Sequence, residues 1–344
     1  MIAKAYTKEA WKQAVEGLRE TYKVFVPAKD GKFHNFMLFE DGVEPDFDYK
    51  KTKLSPKHLV FPQSERMLEY TLKEQDPEHG IMKESEKDYS AQAVVGIRPY
   101  DAASFPIMDV NFDTPDYKDP WWIKRYAATT FIGLCDNKLG DKHFLTDAGG
   151  GPYDEKGLDV ITYDLGDTYV AKTLTEKGEA AIAKMGGTDA GDAQMKAVEE
   201  LIANAKMPTK VPTDNIKNQN VLDLFEAPFW DDVAAGCINC GTCTFLCPTC
   251  WCFDIQDEVR KQQGDRLRNW DSCMFPLYTL HASGHNPRGE KVQRVRNRFM
   301  HKIKYYSDKY EQGVMCVGCG RCVEACPVNI DIRRVFELMN NYSK

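Results

Sequence analysis

The placement of cysteines constrains this chain more than any other feature. Twelve are present, and only Cys135 lies before position 236; the other eleven crowd into the last third. Eight of those eleven form a repeat: Cys237, Cys240, Cys243 and Cys247, closed by Pro248, recur as Cys316, Cys319, Cys322 and Cys326, closed by Pro327. A secreted disulfide framework belongs to short chains with a signal peptide. This chain has 344 residues, and Met1–Glu9 holds no apolar signal core. No apolar run approaches the ~20 residues of a membrane span, so a cytoplasmic protein is expected. In a reducing compartment, thiols this dense are metal ligands.

Both copies follow the run C-x2-C-x2-C-x3-C-P, which binds iron–sulfur clusters. Three thiolates, each separated by two residues, wrap a short loop around one face of a cube. The intervening backbone N–H groups then turn towards its sulfurs. Gly241, Gly318 and Gly320 suit such loops, which need left-handed backbone or close approach. Structural zinc takes paired C-x2-C motifs rather than a triplet closed by Cys-Pro. The fourth cysteine of this run typically serves the other cluster. Cys237, Cys240, Cys243 and Cys326 are therefore expected to hold one [4Fe–4S] cluster, and Cys316, Cys319, Cys322 and Cys247 a second.

Cys135, Cys250, Cys252 and Cys273 remain, which is the ligand count of one more cube. Cys250 and Cys252 continue straight out of the first motif, and Cys273 follows a charged stretch. Cys135 ends an apolar run of buried-strand type. A third [4Fe–4S] cluster on these four is expected, against free thiols or a Cys250/Cys252 redox dithiol.

The fold class expected is α+β, with a mixed α/β domain over residues 1–218 and an α-helical dicluster ferredoxin domain over 219–344. Thr7 should cap an amphipathic helix reaching about Tyr22. Residues 23–27 and 34–39 flank a hairpin turn, 93–97 and 129–134 read as buried strands, and 158–163 pairs with 168–174 across a turn. Helical patterns cover 175–185 and 192–206, and the Pro-containing stretch 207–218 reads as a linker. The 68 residues between the motifs, 248–315, favour a helical dicluster fold over a compact ferredoxin. Their charged stretches 254–270 and 289–311 read as helices. Residues 251–310 carry twelve Lys/Arg against seven Asp/Glu, read as a solvated helical face. The whole chain is acidic, with 45 basic and 52 acidic side chains, which argues against a nucleic-acid binder. His281 and His285 have metal-pair spacing, but Gly284 and Pro287 argue for a turn. Trp251 and Trp270 are expected to pack near clusters.

Residues 247–254, 270–275 and 282–288, with Arg296, Arg298, His301, Lys302 and the loop 316–322, resemble one family. It is the iron–sulfur β-subunit family of cytoplasmic sulfhydrogenase, which includes the corresponding iron–sulfur subunits of anaerobic sulfite reductase and of the heterodisulfide-reductase-associated flavin oxidoreductase. Weaker likeness runs through residues 55–57, 61–65, 96–101 and 133–135. Relatives often carry Cys where Tyr100 stands. The resemblance implies an electron-transfer subunit of anaerobic metabolism, with no bond-making active site of its own. It would relay electrons between a subunit that binds FAD and NAD(P)H and a terminal hydrogenase, sulfite reductase or heterodisulfide reductase. This chain has no G-x-G-x-x-G dinucleotide fingerprint. The alternative is a redox enzyme whose N-terminal domain itself binds flavin or substrate.

Overall fold

The computed structural model describes residues 2–207 and 210–343. Its strands in chain order are β1 (Ala3–Thr7), β2 (Lys23–Asp30), β3 (Phe33–Leu38), β4 (Ser64–Thr71), β5 (Lys83–Glu84) and β6 (Gln92–Ile97). They continue with β7 (Thr129–Leu134), β8 (Val160–Asp164), β9 (Thr168–Thr173), β10 (Thr188–Asp189), β11 (Phe253–Arg260) and β12 (Gln263–Trp270).

A large sheet runs in the order β10-β1-β9-β8-β7-β6-β2-β3. Its centre is parallel: β2 pairs with β6, β6 with β7, and β7 with β8. Every residue of β6 and β7 is buried, as parallel strands covered on both faces must be. Lys8–Gly17 forms the expected helix, with the Thr7 hydroxyl accepting from the Ala10 N–H, and it buries Trp11 and Val15. It packs with Glu176–Met185 over one face of the sheet. Phe105, Met108, Phe112 and Trp122, from the helices Ser104–Phe112 and Pro120–Ala128, fill the core on the other face. The chain is thus α+β, with the large sheet in the first two-thirds and the cysteine-rich part at the end.

One expected element is corrected. Residues 254–270 are not helical; β11 and β12 form an antiparallel hairpin in the order β11-β12-β4-β5. Lys261, at φ 58°, begins its tight turn. The charges that suggest helical pairing are cross-strand partners: Arg266 sits opposite Asp257 and binds it at 2.8 Å. Buried Arg268 fixes the hairpin onto the first half through Glu65, at 2.6 Å, and Asp119. The second stretch is helical as expected: Lys291–Met300 continues through a π-turn, His301–Tyr305, into Tyr306–Tyr310.

Pro208, in the expected linker, lies outside the described residues. The described end of that stretch is stapled down, since the Asn215 N–H and side chain donate to Asn340 Oδ1 and its carbonyl. Several ties cross position 218. Beyond the β4–β12 pairing, Lys51 binds Glu324 at 2.5 Å and the Lys57 ammonium donates to the Cys250 carbonyl at 2.7 Å. No helix among the described residues is long and apolar enough to cross a membrane.

Candidate metal centres

Each cysteine run folds as a loop that closes into a short helix, Thr242–Phe245 in the first copy and Arg321–Glu324 in the second. The two loops repeat one backbone path. Asn239 and Gly241 have φ of 53° and 74°; their counterparts Gly318 and Gly320 have 66° and 72°. Asparagine is the non-glycine residue that best tolerates this region, which accounts for the one unmatched position. The turned backbone directs N–H groups at sulfur: Asn239 donates to Cys237 and Gly318 to Cys316, both at 3.4 Å.

Two neighbouring cavities collect the thiols. Cys237, Cys240, Cys243 and Cys326 line the first, together with Cys322 and Arg298. Cys247, Cys316, Cys319 and Cys322 line the second, together with Lys302. Each cavity therefore holds three cysteines of one copy and the fourth of the other. Cys322 borders both. The donor set of four soft thiols round an enclosed space fits an iron–sulfur cube. The first cavity reaches the surface, because Cys240 is exposed whereas Cys316 and Cys319 are buried.

Glycine at 318 and 320 is a packing requirement as well as a backbone one. A Cβ on Gly318 would stand 2.5 Å from the Phe144 carbonyl, and one on Gly320 would stand 2.7 Å from that of Lys142. The loop leaving β7 thus lies directly on the second motif. Gly318→Ala should cost on the order of 1–3 kcal/mol through left-handed strain alone, with the clash added. A lowered melting temperature and faster iron release to a chelator than in the wild type are the expected readings.

The four remaining cysteines do not share one environment. The Cys250 thiol is hydrogen-bonded to Cys247, and Cys273 to Cys252, with the Tyr278 hydroxyl also on Cys252. These bonds hold Cys247 and Cys252 below the ordinary thiol range. Cys135, at the end of β7, has other neighbours. Burial pushes its thiol up, and the charges acting on it are Arg98, Asp136 and Glu155. Its carbonyl accepts from Arg98 at 2.8 Å. Tyr100, which donates to nothing among the described residues, lies tilted against the His143 ring at 5.4 Å.

His281 and His285 stand in an exposed turn closed by a bond from the His281 N–H to the His285 carbonyl, as the intervening glycine implies. Trp251 packs against His301 and Tyr306, and Trp270 stacks on Phe61 beneath the Lys57 ammonium.

The basic excess of residues 251–310 is not a solvated face. Arg268, Arg294, Arg298, Lys302 and Lys304 are all buried. Lys302 donates to the Cys247 sulfur at 3.1 Å, to Thr249 Oγ1 at 3.0 Å and to the Met315 carbonyl at 3.3 Å. Burial opposes its charge, but Cys247, Cys250 and Cys316 outweigh burial and hold Lys302 above the ordinary lysine range. The signal for these residues was present as Arg294, Arg298 and Lys302, each four apart between the two motifs.

The profile of the 4Fe-4S dicluster domain matches residues 236–330, the span that builds both cavities. Over 326 residues, 93% of each chain, the sequence is 27% identical to the sulfhydrogenase 2 subunit beta of Pyrococcus furiosus. The chain is thus similar to an iron–sulfur β subunit over nearly its whole length. The likeness extends well beyond the dicluster domain and takes in the α/β part that clamps the second motif. The dicluster domain makes the chain an iron–sulfur electron-transfer protein with two [4Fe–4S] centres. No solved structure matches it.

Proposed function

We propose that this chain is the relay subunit of a hetero-oligomeric oxidoreductase. It passes single electrons between a partner that binds FAD and NAD(P)H and a terminal redox partner of hydrogenase, sulfite reductase or heterodisulfide reductase type. The observation that supports this reading most is the pair of adjoining cavities, each lined by one motif's first three cysteines and the other's fourth. Cys237, Cys240, Cys243 and Cys326 would hold one cluster and Cys316, Cys319, Cys322 and Cys247 the other. The exposed Cys240 makes the first cavity the surface-facing end of the path.

A third centre on Cys250, Cys252 and Cys273, beside Cys247, goes with this reading. Arg98, Asp136 and Glu155 are the charges that act on Cys135, proposed from sequence as its fourth ligand. Anaerobically reconstituted protein should hold about twelve iron and twelve sulfide per chain with a third cube, against about eight with two. Cys273→Ala should remove about four iron and Cys135→Ala none. Equal losses from both would restore the four-cysteine set. Wild-type iron staying near eight would remove the third centre.

One observation favours the alternative reading. A cleft of about 830 Å³ opens beside the carboxyl ends of β1 and β8, lined by Lys8, Lys12, Lys138, Asp164 and Tyr169 among others. Crevices at such strand ends are where α/β sheets hold ligands. Purified single chain that retains flavin and oxidises NADH would replace the relay reading. Iron-loaded chain that accepts electrons only from a separate reductase supports it.

A further inference from the structure

Arg298 and Lys302 are buried cations without a carboxylate partner among the described residues. They are 5% and 2% exposed. Two other buried bases are neutralised by carboxylates, Arg268 by Glu65 and Asp119, and Arg321 by Asp101, while Lys57, Arg98 and Arg294 donate to backbone carbonyls. Around Arg298 the acting charges are Cys243, Cys322, Cys250 and Cys247; around Lys302 they are Cys247, Cys250 and Cys316, with Arg298 opposing. No carboxylate is among them. Two of Arg298's nitrogens, Nε and Nη2, find no hydrogen-bond partner among the described residues.

Their placement is paired. Arg298 lines the cavity of Cys237, Cys240, Cys243 and Cys326, and Lys302 lines that of Cys247, Cys316, Cys319 and Cys322. The two side chains are four residues apart on one continuous helix. That helix changes to a π-turn at His301–Tyr305, the segment that seats Lys302 against the Cys247 sulfur. π-Turns inside α-helices concentrate at functional sites because they re-aim a side chain at the cost of regular hydrogen bonding. A buried cation left unpaired is strongly unfavourable, so a negative charge must face each one when the cavities are filled.

We propose that Arg298 and Lys302 are potential-setting residues, Arg298 for the cluster of the first cavity and Lys302 for that of the second. The inference rests on the relay reading above. Taking up one electron adds one negative charge to a cavity, with no bond made or broken. A fixed positive charge in a low-dielectric surround favours that reduced state over the oxidised one. Removing the charge therefore makes its cluster harder to reduce and leaves the other less affected. Because each cation lines a different cavity, each weighs most on its own cluster, and the direction of electron flow along the path follows from the difference between the two potentials.

The test is a redox titration of the anaerobically reconstituted full chain, followed by electron paramagnetic resonance, after iron has been counted. Arg298→Gln should lower one midpoint and Lys302→Gln the other, each by at least tenfold in the reduction equilibrium, or about 59 mV for one electron. At the wild-type midpoint, the reduced fraction of that cluster then falls from one half to about one in eleven. Arg298→Lys and Lys302→Arg should keep both midpoints within about threefold, or about 28 mV, of wild type. Variants that hold wild-type iron with unmoved midpoints overturn the inference and leave the relay reading standing. Wild-type protein that takes up no iron overturns the relay reading itself. Should a glutamine variant lose iron, the charge-keeping pair decides. Wild-type midpoints there uphold a role for charge, and midpoints displaced by tenfold or more overturn it.

Discussion

Cys319→Ala should remove one cluster and loosen the joint between the two parts of the chain, whereas Cys240→Ala should remove the other and leave that joint intact. Both are proposed ligands, so each loss should lower iron by about four per chain. The difference lies in where the loops sit. Cys319 is buried between Gly318 and Gly320, whose backbones press on the carbonyls of Phe144 and Lys142. Its carbonyl also accepts from Lys51 at 3.2 Å. A collapsed second loop therefore disturbs the segment leaving β7. Cys240 is exposed, and at Gly241 its loop approaches the side chains of Phe275 and Ser272. Metal binding is folding energy in domains of this kind, so both variants should melt at lower temperature. Limited proteolysis should nick the 136–150 segment faster in Cys319→Ala than in Cys240→Ala. Equal cleavage of both, with equal iron loss, would break the proposed link between the second cluster and the α/β part.

The sequence makes the candidate centres legible to the extent that local spacing determines them. The C-x2-C-x2-C-x3-C-P runs encode loop shape directly, and the left-handed positions at Gly241, Gly318 and Gly320 follow from the glycines themselves. Buried parallel strands β6 and β7 are equally plain, because burial on both faces leaves an unbroken apolar run. The hairpin β11–β12 is hidden for a physical reason. Asp257 and Arg266, nine residues apart, can meet only across two facing strands, and the sheet that holds those strands depends on β4, nearly two hundred residues away. The inward turn of Arg298 and Lys302 is hidden likewise. Basic residues four apart normally mark a solvated stripe, and only the thiol cavities, assembled from both ends of the domain, reverse that reading.

Asp101→Ala should cost about 3–5 kcal/mol of stability, the range for stranding one partner of a buried ion pair. Asp101 lies just after β6, in the short helix Pro99–Ala102, and Arg321 lies between the proposed ligands Cys319 and Cys322. The guanidinium grips the carboxylate with two bonds, at 2.5 and 2.7 Å, and both side chains are almost wholly shut from solvent, at 2% and 1% exposure. Arg321 also donates to the Thr52 carbonyl and hydroxyl, both at 3.0 Å, so three separate segments meet at one cation. Without Asp101 those two oxygens remain, but they carry no charge, and the buried cation loses its counterpart. Urea unfolding of the reconstituted chain, followed by visible absorption and circular dichroism, should show the midpoint falling for both signals together. A double replacement, Asp101→Leu with Arg321→Met, removes both charges and should regain most of the loss, because apolar residues of similar volume often match a buried pair. A single variant that costs less than about 1 kcal/mol, in the range of an exposed pair, would mean that Thr52 and the loop backbone alone hold the second motif against the sheet.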